Sequence, residues 1–412
     1  MRLDALPTVI YTYGQRPTGG DGRNGETFMS LSRRLFLTRS TLSAAAAPVL
    51  LGAAAVPSRA LAHPGDEIDL SMGFPEGALR MGFNENVLGP SPKAIAGATA
   101  AIPGSYRYAL SGLLRPAIAA HHGVDKEWIL VGNGSTEVLT STPPAFLRDG
   151  GNVVAALETW DEMLAVAEAM GRPVKRIKLL AQKDYAYDVD GMLAAIDSDT
   201  RLFMIISPNN PTGSTLDYVQ LKRIAEALPK KALLVIDHAY ADYLPDGKTG
   251  IDLVKEGHTN VMVTRTFSKA HALAGLRCGY GIAHPDVLKE IAKYGCGAGS
   301  ANIAVFGAVQ GSLADPEHIQ RARTYMHDVH AYYQKECAAR GWRIVAGVSP
   351  FALIGVGAGK GNLVQNELRK RKIFINDGDR WHLPDYVRVS YGREHENQTF
   401  CNELAAVLQA HA

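Results

Sequence analysis

From about residue 128 onward, short and nearly continuous apolar runs alternate with longer amphipathic stretches, and this alternation admits few architectures. Trp128–Val131, Asn152–Leu157, Leu202–Ile206, Ala232–Ile236, Asn260–Thr264 and Gly279–Ala283 read as strands, with helices such as Asp161–Met170 and Tyr218–Ala227 between them. A strand that is apolar on both faces has to be covered on both. The pattern therefore predicts an α/β fold, a large domain whose mainly parallel sheet carries helices on each side. After about residue 315 the texture changes. A long polar helix, Pro316–Arg340, leads into further strands that end at Val387–Tyr391, which reads as a smaller α/β C-terminal domain completed by the segment around Gly82–Ser91. The expected boundaries are an arm at 63–98, the large domain at 99–314 and the small one at 315–412.

Charge is unevenly spread. Residues 1–62 hold seven Arg/Lys against three Asp/Glu, while the other 350 residues hold 36 against 38. A nearly neutral body gives no reason to expect nucleic acid as a partner. The basic run Arg369-Lys370-Arg371-Lys372 reads as a solvated helix end before a strand at Ile373–Ile375. The N-terminal excess belongs to Ser32-Arg33-Arg34-Leu35-Phe36-Leu37, a twin-arginine pattern. It is followed by the uncharged stretch Ser40–Ser58 and by Ala60-Leu61-Ala62, a small-x-small cleavage signal. Pro48 and Pro57 interrupt that stretch, so a cleaved export signal at 29–62 and a periplasmic address are expected, with an uncleaved anchor as the alternative. Residues 1–28 resemble no targeting element, and Met29 is expected as the true start. The four cysteines show no metal spacing, and the adjacent His121 and His122 at a helix end are expected to point apart. No metal site is predicted.

Ligands of parallel sheets bind beyond the carboxyl ends of the strands, and the chemically capable residues of this chain fall there. Gly132-Asn133-Gly134-Ser135-Thr136 follows a strand and opens a helix, an anion cradle of N–H groups and hydroxyls. In Ser207-Pro208-Asn209-Asn210-Pro211-Thr212-Gly213 the prolines fix a loop that aims the Asn210 amide. Asp237 ends an apolar run, with Tyr240 three residues on. An isolated D-x-x-Y reads as a helix cap, but an acid at a buried strand end calls for a cation, and a protonated pyridine nitrogen is one. Lys269 sits in Thr266-Phe267-Ser268-Lys269-Ala270-His271, with Arg277 eight residues later. Ser268 and Arg277 can hold a phosphate there, leaving the amine to bond an aldehyde carbon. Arg388, flanked by Val387 and Val389, is a buried arginine suited to a substrate carboxylate.

In this order and spacing, together with Asn84-Glu85-Asn86, Leu88-Gly89-Pro90 and Arg107-Tyr108, these motifs are highly specific. Over about residues 80–408 the chain resembles the fold-type-I pyridoxal-phosphate aminotransferases, and within them the histidinol-phosphate aminotransferase branch. The resemblance implies pyridoxal 5'-phosphate as cofactor and Lys269 as the amine that binds it and then shuttles the proton. It implies Asp237 on the ring nitrogen, and Asn210 and Tyr240 on the ring hydroxyl. Gly134, Ser135, Thr136, Ser268 and Arg277 would surround the phosphate, which Tyr108 of a neighbouring subunit reaches in a homodimer. Trp160 would stack on the ring, Arg388 would grip the substrate carboxylate and Asn86 would lie near the substrate. The activity implied is transfer of an amino group from an amino acid to a keto acid with ping-pong kinetics.

Several positions depart from the branch. Trp160 replaces Tyr or Phe, His238 replaces an acid, Val87 and Ala109 replace prolines, and His271 replaces an aromatic. None removes a catalytic group, but with the export signal they argue against histidinol phosphate as substrate. The alternatives are a decarboxylase or lyase of the same fold and, from another class, a pyridoxal-binding protein without turnover.

Overall fold

Strand polarity decides where the chemistry is placed. In chain order the strands are β1 (Leu79–Arg80), β2 (Ile129–Gly132), β3 (Asn152–Ala156), β4 (Val174–Ile177), β5 (Thr200–Ile206), β6 (Leu233–Asp237) and β7 (Val261–Thr266). They continue as β8 (Gly279–Ala283), β9 (Ile344–Val345), β10 (Phe351–Gly355), β11 (Ile373–Phe374), β12 (Asn376–Asp377) and β13 (Tyr386–Ser390). Seven form one sheet in the order β2-β8-β7-β6-β5-β3-β4. Every neighbouring pair from β7 through β4 is parallel, and β8 runs antiparallel to both β2 and β7. This computed structural model describes residues 72–345 and 347–411. The expected extension at 1–28 and the twin-arginine signal at 29–62 lie outside the described residues.

Alternate residues along each strand enter different cores, as the twofold repeat of a strand requires. Val154, Ala156, Phe203, Ile205, Leu234, Ile236 and Val263 join one cluster, with Ile118, Leu221, Ile224 and Leu253 from helices on that side. Their neighbours Val153, Ala155, Leu202, Met204, Leu233, Val235 and Met262 join a second, with Val138, Leu139, Met163, Leu164 and Leu288 from helices on the other. The double-sided covering read from the apolar runs is therefore present. The edge strand β4 escapes that reading because it is Val-Lys-Arg-Ile, half-buried throughout, with Lys175 and Arg176 paired to Asp197 and Glu168.

A third cluster surrounds the four-stranded sheet β12-β13-β10-β9, with Tyr333, Phe400, Val387 and Val389 at its centre. The helix Pro316–Arg340 has its expected bounds, and the basic run closes the helix Gly361–Lys370, with Arg371 paired to Glu403. The arm lies beside this layer: β1 pairs in parallel with β11, and the Ser390 N–H donates to Met81 O at 2.7 Å. All four cysteines are free. The two histidines do not diverge. Their ring centroids lie 4.7 Å apart, edge to face, because His122 turns inward to meet the Tyr280 hydroxyl at 2.7 Å. Among the described residues no group of side chains could hold a metal.

The helices Pro92–Ala101 and Ile303–Leu313 meet backbone to backbone. A Cβ on Gly97 would enter the Gly307 carbonyl, one on Gly307 the Gly97 carbonyl, and one on Gly311 the Lys93 carbonyl, each closer than real Cβ atoms approach. Gly307→Ala is expected to lower stability by about 1–3 kcal/mol, the usual cost of forcing a methyl into a packed contact. Urea unfolding measures it, and an unchanged midpoint would mean that the helices separate at no cost.

Candidate active site

Asp237 is the last residue of β6, and the parallel register places Thr264 of β7 beside it. Its Oδ1 accepts from Thr264 Oγ1 at 2.9 Å. Burial pushes the carboxyl up to about 6, against the opposing pull of the Thr264 hydroxyl, the Ala239 N–H and the Lys269 charge. Among the described residues no cation pairs with it directly.

Lys269 follows β7 on the same edge. Its Nζ donates to the Phe83 carbonyl at 2.9 Å and lies 5.8 Å from the centroid of the Tyr240 ring. Burial, and after it the charge of Arg388, draw the amine down to about 8. Tyr240 is buried, and its hydroxyl accepts from Asn84 Nδ2 at 2.9 Å.

Arg388 sits within β13 at 5% exposure. One Nη donates to Asn210 Oδ1 and the other to Gly82 O, each at 2.5 Å. Its carbon lies 4.7 Å from the centroid of Trp381 and 5.5 Å from that of Phe351. The guanidinium thus has neutral oxygens and aromatic faces around it but no carboxylate, and its Nε has no partner. Burial, and then Arg380, bring it down to about 10, so it remains charged at neutral pH. Asn210 is left with a free Nδ2. The loop that carries Asn210 is fixed by Asn209, which donates to Glu158 O and Thr212 Oγ1 and accepts from Thr159 Oγ1.

The helix Ser135–Leu147 begins where the glycine cradle was predicted. Gly134 has φ 82, and a Cβ there would collide with the Arg277 guanidinium. The absence of that Cβ lets Arg277 cross the helix N-terminus. Gly279 is held in the same way against the backbone of Ser135. Ser268 Oγ accepts from Thr266 Oγ1 at 3.0 Å. Trp160 is half-buried after β3, and Asn86 Nδ2 donates to Ala270 O at 2.8 Å, one residue from the lysine. Thr136 lies in the first turn of the helix after the cradle. Tyr108 is 93% exposed and touches none of these groups in its own chain.

Three contributors were not legible as site residues. Thr264 is hidden inside an apolar run, and Asn84 inside a motif from which only Asn86 had been given a role. Trp381, in the loop before β13, is 1% exposed and lies over the Arg388 guanidinium. His238 has a structural explanation. Its Nδ1 meets Ser207 O at 2.6 Å and its Nε2 accepts from the Gly250 N–H at 3.3 Å, the pattern of a neutral ring that burial holds near 4.

Residues 67–404 match the family model "Aminotransferase class I and II". A histidinol-phosphate aminotransferase of Nitrosococcus oceani is 31% identical over 352 residues, covering 84% of this chain and 93% of that protein. One from Akkermansia muciniphila is 32% identical over 338 residues, covering 81% and 91%. Among solved structures, a histidinol-phosphate aminotransferase of Sinorhizobium meliloti in complex with pyridoxal-5'-phosphate superposes with a TM-score of 0.75 at 25% identity, covering 81% of this chain and 92% of that one.

Two outcomes follow from the buried charges. Capture of an aldehyde at Lys269, trapped by borohydride and located by peptide mapping, should rise with pH through a midpoint near 8 rather than 10.5. A midpoint near 10.5 would mean that the amine is solvated. For Asp237 the folded value lies above the ordinary 3.8, so its favourable contribution is complete below about pH 4 and is lost as pH rises through about 6. Asp237→Asn should therefore stabilise the cofactor-free protein at pH 8, by roughly 1–3 kcal/mol, while destroying activity. Equal or lower stability of the variant at pH 8 would contradict the burial cost.

Proposed function

This chain belongs to the class I and II aminotransferase family, and from that membership we propose how its residues divide the work of a pyridoxal-phosphate-dependent aminotransferase. Such an enzyme moves an amino group from a donor to a keto acid. The residues present fit the cofactor. Arg277 crosses the glycine cradle in space that a Cβ would fill, Asp237 has no cation of its own, and Asn210 has an unused donor. When bound, pyridoxal phosphate supplies an aldehyde for the amine and a ring that withdraws electrons from the carbon carrying it.

Lys269 would hold the cofactor and then, as a free amine with a depressed proton affinity, take the proton from the substrate Cα and deliver it to the carbon on the far side of the transferred nitrogen. Asp237, ionised above about pH 6, would pair with the ring nitrogen and keep that nitrogen protonated. Asn210 and Tyr240 would donate to the ring hydroxyl, and Trp160 would cover a ring face. Ser135, Thr136, Ser268, Arg277 and the backbone at Gly134 would hold the phosphate. Arg388 would bind the carboxylate, with Asn86 beside the substrate.

The observation that carries this reading is Arg388, a buried cation that among the described residues has no acid paired to it and lies close enough to Lys269 to depress its proton affinity. A charge in that state needs an anion from outside the chain. An amino-acid donor and a keto-acid acceptor both bring one. Histidinol phosphate would bring a phosphate in place of a carboxylate, an anion Arg388 can also bind; it is the substitutions at Trp160 and His271, with the export signal, that lead us to propose an amino acid as donor. The likeness to named histidinol-phosphate aminotransferases supports placing the chain in that branch. We further propose a homodimer, supported by the exposed apolar side chains of Ile102, Tyr106, Tyr108, Leu110 and Leu113, with Tyr108 reaching the partner's phosphate site. The twin-arginine sequence supports export to the periplasm.

Amino acids added singly to the holoenzyme should convert its visible band with a productive donor, and a keto acid should restore it. Release of carbon dioxide with an amine, instead of a keto acid, would replace transfer by decarboxylation. Arg388→Ala is expected to raise KM for donor and acceptor at least about 10-fold, since truncating one side of a buried charge-assisted contact costs about 2–5 kcal/mol. Unchanged kcat and KM would remove Arg388 from the site.

A further inference from the structure

We infer that Asn84 is a positioning residue that sets the direction in which the Tyr240 hydroxyl gives its proton. Asn84 lies in the arm after β1 at 2% exposure, and its N–H and both side-chain polar atoms are engaged. The backbone N–H donates to Ser390 Oγ at 2.7 Å, Oδ1 accepts from Ser390 Oγ at 3.0 Å, and Nδ2 donates to the Tyr240 hydroxyl oxygen at 2.9 Å. These bonds span the molecule: 306 residues separate Asn84 from Ser390, and 156 separate it from Tyr240.

Ser390 fixes which way the amide faces. Its hydroxyl is buried, already accepts from the Asn84 N–H, and has one proton to place. Oδ1 of Asn84 takes that proton. With the amide reversed, the Ser390 proton would be left buried without an acceptor, and such groups are strongly disfavoured. Nδ2 must therefore face Tyr240. The tyrosine oxygen accepts from it, and its own proton is turned away from Asn84 and remains to be donated elsewhere. The charged groups near this hydroxyl are Arg388 and Asp237, and Lys269 Nζ lies 5.8 Å from the ring centroid. The backbone of Asn84 has φ 55, a left-handed conformation that asparagine, aspartate and glycine tolerate.

The inference rests on the reading that Tyr240 meets the cofactor's ring hydroxyl. A donor to that oxygen favours its ionised form, so losing the donor raises the pH at which the visible band of the holoenzyme changes. The test is a spectrophotometric pH titration of the holoenzyme in wild type, Tyr240→Phe, Asn84→Asp, Asn84→Gly and the double variant Asn84→Asp/Tyr240→Phe. Tyr240→Phe should raise the midpoint by about 1 pH unit. Asn84→Asp keeps the shape and backbone tolerance but presents only acceptors, so it should draw the tyrosine proton to itself and shift the midpoint nearly as far. Asn84→Gly leaves the hydroxyl free to turn and should shift it less. The double variant should lie close to Tyr240→Phe, because the aspartate acts through the tyrosine.

If Tyr240→Phe shifts the midpoint and Asn84→Asp does not, the inference is overturned and the reading of Tyr240 stands. A shift in Asn84→Gly as large as that in Asn84→Asp also overturns it. So does a full additional shift in the double variant, which would show a bare charge effect. No shift in Tyr240→Phe removes the tyrosine from the ring, and the reading fails with the inference.

Discussion

A carboxyl group at the end of the central strand, deep in the protein and without a cation, is the constraint around which this fold is organised. Asp237 is held by the Thr264 hydroxyl and the Ala239 N–H, and these do not offset its burial, since its proton affinity stays above the ordinary value. The parallel register of β6 and β7 brings Thr264 to it, and the same strand β7 then delivers Lys269. A slip of β6 by one residue in the sheet would turn the acid to the opposite face. The cost of keeping such a group is borne by the two-sided core, and in the proposed function a protonated ring nitrogen would offset it.

Lys269 and Arg388 repeat the arrangement with opposite sign. Both are desolvated, each depresses or is depressed by a neighbouring cation, and neither meets an acid. The chain treats structural charge differently. Arg265 and Asp242, buried nearby, bond each other directly. Burial pushes the Asp242 carboxyl up, and Arg265 together with His271 overcomes it and holds the group below its ordinary range. Arg323 pairs with Asp246 and also donates to the Asp242 carbonyl. A charge serving the fold is neutralised within the chain, whereas Asp237, Lys269 and Arg388 are not, and in the proposed function a ring nitrogen, an aldehyde and a carboxylate from outside would meet them.

This difference explains what could be read from the sequence. Strand-end residues such as Asp237, Asn210 and Lys269 stood out because a polar group closing an apolar run has few other uses. The core strands were legible because burial on both faces leaves no polar alternation, and β4 was not, because an edge strand keeps its lysine and arginine in water. Second contacts were illegible for a physical reason. Thr264 and Phe351 act on Asp237 and Arg388 through pairings that only the folded sheets create, and a threonine or an aromatic inside a strand looks like packing. His238, read as a departure, turns out to tie the loop after β5 to the N-terminus of the helix Gly250–Lys255.

Asn84 joins these two classes of residue. It belongs to a legible motif, yet its bonds run to Ser390, two residues beyond Arg388, and to Tyr240, three beyond Asp237. The strand that presents Arg388 and the loop that presents Tyr240 are thus fastened to one amide, with Gly82 in the same arm accepting from Arg388. A shift of β13 when a carboxylate pairs with Arg388 would pull directly on the atom that orients Tyr240. The arm thus touches both the strand of Arg388 and the loop of Tyr240, and β1 in the same arm is laid beside β11.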